Sequence, residues 1–101
     1  MPNADRRFAF TPRALDDLEA IWDHGADRWS PDQADRYQTD LFRLFALLAE
    51  RPHMARERPV LGDGIRVHPY ASHLIVYRVL DDGIQIVRVP HGRQDLRALL
   101  D

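Results

Sequence analysis

The sequence predicts an α+β fold: one N-terminal strand, then a helical hairpin packed on a small, mostly antiparallel sheet, with a short C-terminal segment. Three observations carry this. Two segments between residues 11 and 50 repeat apolar residues at helical spacing, and each opens with a capping residue followed by proline. Residues 64–90 break into three β-branched runs separated by tight turns. The helices precede the run of strands instead of alternating with them, which marks the α+β class.

The chain has 101 residues, enough for a single domain spanning 1–101. Its apolar share of 45% and charged share of 30% are those of a globular protein. No apolar run approaches the roughly 20 residues that span a bilayer, so no membrane association is expected. The opening MPNADRRFAF has no apolar leader core, and a cytoplasmic location is expected. There is no cysteine, which excludes disulfides and thiolate metal sites. The net charge of -2 argues against direct sequence-specific nucleic-acid binding by this chain alone. All fourteen basic residues are arginine, which a GC-rich coding sequence explains most simply.

Arg7-Phe8-Ala9-Phe10 alternates polar and apolar and predicts a first strand, at an edge or beside a later strand. Thr11 and Pro12 then open a helix as N-cap and first helical residue. Asp16, Asp17 and Glu19 are expected to complement its dipole. Leu15, Leu18 and Trp22, with Ala14 and Ile21 beside them, form its apolar stripe. His24-Gly25 is where this helix is expected to weaken or end. Ser30-Pro31-Asp32-Gln33 opens the second helix with a capping box, and Trp29 and Ala34 are placed for a hydrophobic staple. Ala34, Tyr37, Leu41, Leu44 and Leu48 follow at helical steps, widened by Phe42 and Phe45. Arg36 is spaced for ion pairs with Asp32 and Asp40. Arg51-Pro52 ends the helix, and residues 52–63 form a crossing loop.

The first strand of the hairpins runs from Ile65 towards Pro69, which restricts it to an edge or a strand end. Ala71-Ser72 is a turn. His73 to Leu80 is almost continuously apolar, a pattern of strands covered on both faces. A chain of this length has few helices to spare, so a second polypeptide is expected to finish one face of the sheet. Asp81-Asp82-Gly83 marks a hairpin, and Ile84 to Val89 is the last strand. A two-residue and a three-residue loop put Arg88 on opposite faces, and the sequence leaves both open. His91 to Asp95 is a polar bend, and Leu96 to Leu100 a final helical turn.

Several stretches together resemble the ParE toxins of the RelE/ParE superfamily, the toxin halves of type II toxin–antitoxin operons. They are Leu15-Asp16-Asp17-Leu18-Glu19-Ala20-Ile21-Trp22, Ala34-Asp35-Arg36-Tyr37, Arg58-Pro59 to Gly64-Ile65-Arg66, and His73-Leu74-Ile75-Val76-Tyr77-Arg78-Val79. The most specific is Val87-Arg88-Val89-Pro90-His91-Gly92-Arg93-Gln94-Asp95-Leu96. The resemblance implies the RelE/ParE-like fold, a cognate ParD-like antitoxin as partner, and DNA gyrase as target. Under it, Arg78, Arg88, His91 and Arg93 are candidates for target contact. Leu15, Leu18, Trp22, Leu74 and Val76 are candidates for antitoxin contact.

The related RelE-like branch cleaves mRNA on the ribosome, and this is the alternative. That chemistry needs groups to activate a 2′-hydroxyl, stabilise the phosphorane and protonate the leaving oxygen. RelE-like enzymes are known for basic residues on the middle strand, where this chain has Leu74. His68, His73, His91, Arg78, Arg88 and Arg93 remain as another possible constellation. The favoured reading is a non-enzymatic toxin with no catalytic residue. The five histidines show no metal-ligand spacing, and neither metal nor cofactor is expected.

Overall fold

The computed structural model describes residues 7–100; the leader-free reading of the N-terminus rests largely on residues 1–6, which lie outside that span. The elements are β1 (Arg7–Phe10), α1 (Pro12–Arg28), α2 (Pro31–Glu50), a 3-10 turn (Pro59–Leu61), β2 (Ile65–Tyr70), β3 (His73–Leu80), β4 (Gly83–Arg88) and α3 (Leu96–Leu100). The sheet order is β1-β4-β3-β2. β1 runs parallel to β4, and the other pairs are antiparallel. The expected α+β layering is therefore present, with β1 at one edge and β2, carrying Pro69, at the other.

Both helices begin where their caps predict. Thr11 Oγ1 accepts the Ala14 N–H at 3.1 Å and donates to Val87 O at 2.7 Å, so the cap also ties α1 to β4. Ser30 Oγ accepts the Gln33 N–H at 3.0 Å. The staple does not form: Trp29 is 67% exposed while Ala34 is buried. Asp40 pairs with Arg43, not with Arg36. Asp16, Asp17 and Glu19 lie beyond the first turn of α1, where the dipole has faded.

α1 does not end at His24-Gly25 but continues to Arg28. Gly25 is buried against α2, and a Cβ there would sit 3.5 Å from Ala34 Cβ. The contact at this crossing is ordinary van der Waals spacing even with a Cβ, and the glycine sits within the helix instead of ending it. The buried face of α1 is Ala14, Leu18 and Gly25. Leu15 points away from it, 52% exposed.

The core lies between the hairpin and one sheet face. Leu41, Phe45 and Leu48 of α2 pack with Ile75 and Tyr77 of β3 and Ile84 and Ile86 of β4. Full burial of side chains this size contributes about 1.5–3 kcal/mol each. Phe8 and Phe10 both point inward from β1, onto Phe42 and Phe45 of α2, with ring centroids 5.6–5.9 Å apart across the interface.

The far face differs from expectation. Val76 follows Ile75 on β3 and so points away from the helices, yet it is 0% exposed within the single chain, and Ile65 is also buried. The 3-10 turn and α3 touch one another, and Gly62 lies against Ile65. The chain thus covers the centre of its own far face. Among its large exposed apolar side chains, Leu15, Trp29, Phe42 and Leu47 are on or beside the hairpin.

Leu80 pairs with Gly83, so the β3–β4 loop has two residues. Further along, Tyr77 faces Ile86 but Val76 faces Arg88, so β4 carries one extra residue. This bulge re-aims the end of the strand.

Candidate functional site

Arg88 follows Ile84 and Ile86 at alternate positions of β4 and so lies on the helix side of the sheet, where α1 presents Asp17. Arg88 Nε donates to Asp17 Oδ2 at 2.8 Å and Nη2 to Oδ1 at 3.0 Å. Asp17 Oδ2 also accepts the Val89 N–H at 2.8 Å. The pair is only about 15% exposed on either side. Its hydrogen bonds hold the Arg88 pKa above the ordinary arginine value. One carboxylate thus fixes the exit of β4 to the helical hairpin.

The chain leaving that clamp forms a braced bend. Leu74 N–H donates to Pro90 O at 2.9 Å, and Gly92 N–H to Ser72 O at 2.7 Å. His91 and Gln94 tie the bend to itself: His91 N–H donates to Gln94 Oε1, and Gln94 N–H to His91 O, both at 3.0 Å. The Arg93 N–H donates to His91 Nδ1 at 3.1 Å.

These features close one wall of a cleft of about 790 Å³. Its other wall is the second half of α1 and the start of α2. His24, Arg28 and Trp29 enter from that side, and His73, His91 and Arg93 from the strand ends. Tyr37 sits at the base, sharing a 2.7 Å hydrogen bond with His73 Nδ1. The His73 and His91 rings meet edge to face at 5.6 Å. Burial, with help from His91 and His24, lowers the His73 pKa. Burial and the neighbouring Tyr70 raise that of Tyr37. The one acidic residue of the lining, Asp17, is already committed to Arg88. The cleft therefore carries Arg28 and Arg93, with no ion-pair partner among the described residues, beside the imidazole rings of His24, His73 and His91.

Four predicted target-contact residues fall in three places. His91 and Arg93 share the cleft. Arg88 lies behind it in the clamp. Arg78 is exposed on the far face, beside Ile65 and Gln85. The predicted antitoxin-contact residues also divide. Leu15 is open on the hairpin, whereas Leu18 is 4% exposed in the core. Trp22 is half-buried, its Nε1 donating to Asp35 Oδ1 at 2.8 Å. Leu74 is half-buried on the far face beside the covered Val76. Sequence reasoning did not single out Asp17, His24, Arg28 or Trp29 as parts of one site. Trp29 before a helix cap was the one available signal, and it pointed to a staple. Among the described residues no group of three His, Asp or Glu is placed to hold a metal ion. No described helix is long and apolar enough to cross a membrane.

Comparison with known proteins adds a family. The model described as "ParE toxin of type II toxin-antitoxin system, parDE" matches residues 8–96. The chain is 37% identical over 91 residues to Toxin ParE1 of Mycobacterium tuberculosis (strain ATCC 25618 / H37Rv), covering 89% of this chain and 93% of that protein. It is 33% identical over 93 residues to Toxin ParE1 of Caulobacter vibrioides, covering 92% and 96%. Among solved structures it resembles "Chromosomal ParDE TA system from P. aeruginosa" with a TM-score of 0.72. That match covers 87% of this chain and 97% of the other at 24% identity, a likeness of fold.

Proposed function

The chain belongs to the ParE toxin family of type II toxin–antitoxin systems, and from that premise we propose that it inhibits DNA gyrase in the cytoplasm and is neutralised by a ParD-like antitoxin. The observation that carries the reading is the family match along residues 8–96, with the elements in the expected order. The similar solved fold comes from a chromosomal ParDE TA system, which supports a ParD-like partner. We assign target contact to the bend, through His91 and Arg93, with Arg88 holding the bend in place and Arg78 as a separate contact on the far face. The antitoxin lies along the open apolar side of the hairpin, over Leu15 and the rim of Trp22, with Leu18 beneath. An extended segment follows the sheet near Leu74, over the covered Val76.

A ribonuclease reading has less behind it. Leu74 offers no charge to a phosphorane. His91 Nδ1 is already engaged by the Arg93 N–H, which leaves only its other ring nitrogen for proton transfer.

Purified chain added to gyrase in a supercoiling assay tests the proposal. Inhibition that is relieved by the antitoxin is the expected result. Undisturbed supercoiling at saturating chain removes the gyrase half. Codon-phased mRNA cuts after induction would move the assignment to the ribonuclease branch.

A further inference from the structure

The cleft has the makings of a small-molecule site as well as a protein contact, and its chemistry is specific. Its volume of about 790 Å³ falls within the range of ligand pockets, roughly 300–1,000 Å³. Arg28 and Arg93 line it, and among the described residues neither has a carboxylate within ion-pair reach. Asp17, the one acid in the lining, is held by Arg88 and the Val89 N–H. An anion entering here meets two guanidiniums and no free negative charge. Guanidinium groups match phosphate oxygens in a planar, bidentate way.

The second requirement is a flat surface. Trp29 is 67% exposed at the cleft, although an indole that size is normally well covered. The Arg28 guanidinium lies 5.6 Å from its ring centroid. An exposed indole next to arginine is a stacking platform for a heteroaromatic ring. Gln33, Gln94 and Ser72 also line the cleft and supply neutral donors and acceptors for the ring's polar edge. The side-chain oxygen of Gln94 is held by the His91 N–H, which leaves its amide N–H groups to donate.

From this juxtaposition we infer that the cleft binds a nucleotide unit, with its phosphate between Arg28 and Arg93 and its base against Trp29. The unit comes either as a free nucleotide or as part of a single strand; the recognition chemistry is shared. This goes beyond the gyrase reading and does not depend on it.

Calorimetric titration of the antitoxin-free chain at low salt tests the inference, using AMP, GMP, adenosine, inorganic phosphate and a short single-stranded oligonucleotide. The expected result is saturable binding of a nucleoside monophosphate or the oligonucleotide, at least tenfold tighter than phosphate or adenosine. Arg28→Gln and Arg93→Gln should each weaken it at least tenfold, and Arg43→Gln, an exposed arginine outside the cleft, should not. Trp29→Ala should remove the advantage over inorganic phosphate. Comparable affinity for monophosphate and oligonucleotide assigns a free nucleotide; markedly tighter oligonucleotide binding assigns a strand. Both arginines are exposed, and circular dichroism of each variant checks the fold. Absence of saturable binding by either nucleotide form overturns the inference. So does full affinity in the Arg28→Gln/Arg93→Gln double variant.

Discussion

Asp17 of α1 grips Arg88 of β4 at two points, 2.8 and 3.0 Å, across 71 residues of chain. It also takes the Val89 N–H, so the same carboxylate fixes a side chain and the backbone that leads into the bend. Asp17→Asn removes the charge and keeps the shape. The partly buried guanidinium is then left unpaired, and a loss of about 2–3 kcal/mol is expected by urea denaturation. Replacing both partners by apolar residues should lose less than the single change, because no stranded charge remains.

His73 sets the response to acid. Its pKa is lowered in the fold by burial and by His91 and His24, so the unfolded chain binds the proton first. The resulting stability is present above the ordinary histidine value, about 6.5, and is lost as pH falls through the lower folded value. Urea midpoints measured between pH 8 and 5 should therefore fall on the acid side. His73→Gln should flatten that slope. An unchanged slope in the variant would assign the effect to other groups.

Gly83 is needed for a reason apart from its turn. A Cβ there would lie 1.8 Å from Arg7 O, in the parallel contact between β1 and β4. Gly83→Ala should cost about 1–3 kcal/mol as the strand is pushed aside. Hydrogen exchange should show the amides of β1 losing protection before those of β3.

Gly25 predicts the opposite sign. Its added Cβ meets Ala34 Cβ at an ordinary 3.5 Å, and its backbone is helical. Gly25→Ala should stabilise the chain by about 0.5–1 kcal/mol, through helix propensity alone. A thermal melt distinguishes this from a clash at the helix crossing.

Leu15 tests the proposed antitoxin surface. It is exposed on the hairpin and absent from the core, so Leu15→Glu should leave the melting temperature nearly unchanged. Antitoxin affinity should fall at least tenfold, about 1.4 kcal/mol. Wild-type affinity in this variant would move the antitoxin away from α1.

The elements were legible in the sequence because their signals are local. Thr11-Pro12 and Ser30-Pro31 each specify a helix start within four residues, and Asp81-Asp82-Gly83 specifies a turn. What escaped depended on distant partners. Gly25 looks like a helix end until Ala34 is placed against it. Leu15 belongs to the apolar stripe by spacing, yet the sheet claims Ala14 and Leu18 instead. The facing of Arg88 hangs on the length of the β3–β4 loop, two residues in the fold, which Asp81-Asp82-Gly83 alone leaves open. The cleft was half visible: the bend with His91 and Arg93 stood out, but Asp17 resembled a dipole-matching acid and Trp29 a staple. Only the folded chain brings α1, Tyr37 and the bend together.

The parallel pairing of β1 with β4 also bears on how the molecule is made. A nascent chain emerging from the ribosome exposes Phe8 and Phe10 early, but the strand that seats them is among the last segments to be synthesised. Contacts so remote in sequence close slowly. Until translation reaches Ile86, the growing polypeptide carries a hairpin without its full floor and no bend at all, so a truncated product is expected to be harmless to its host and attractive to proteases.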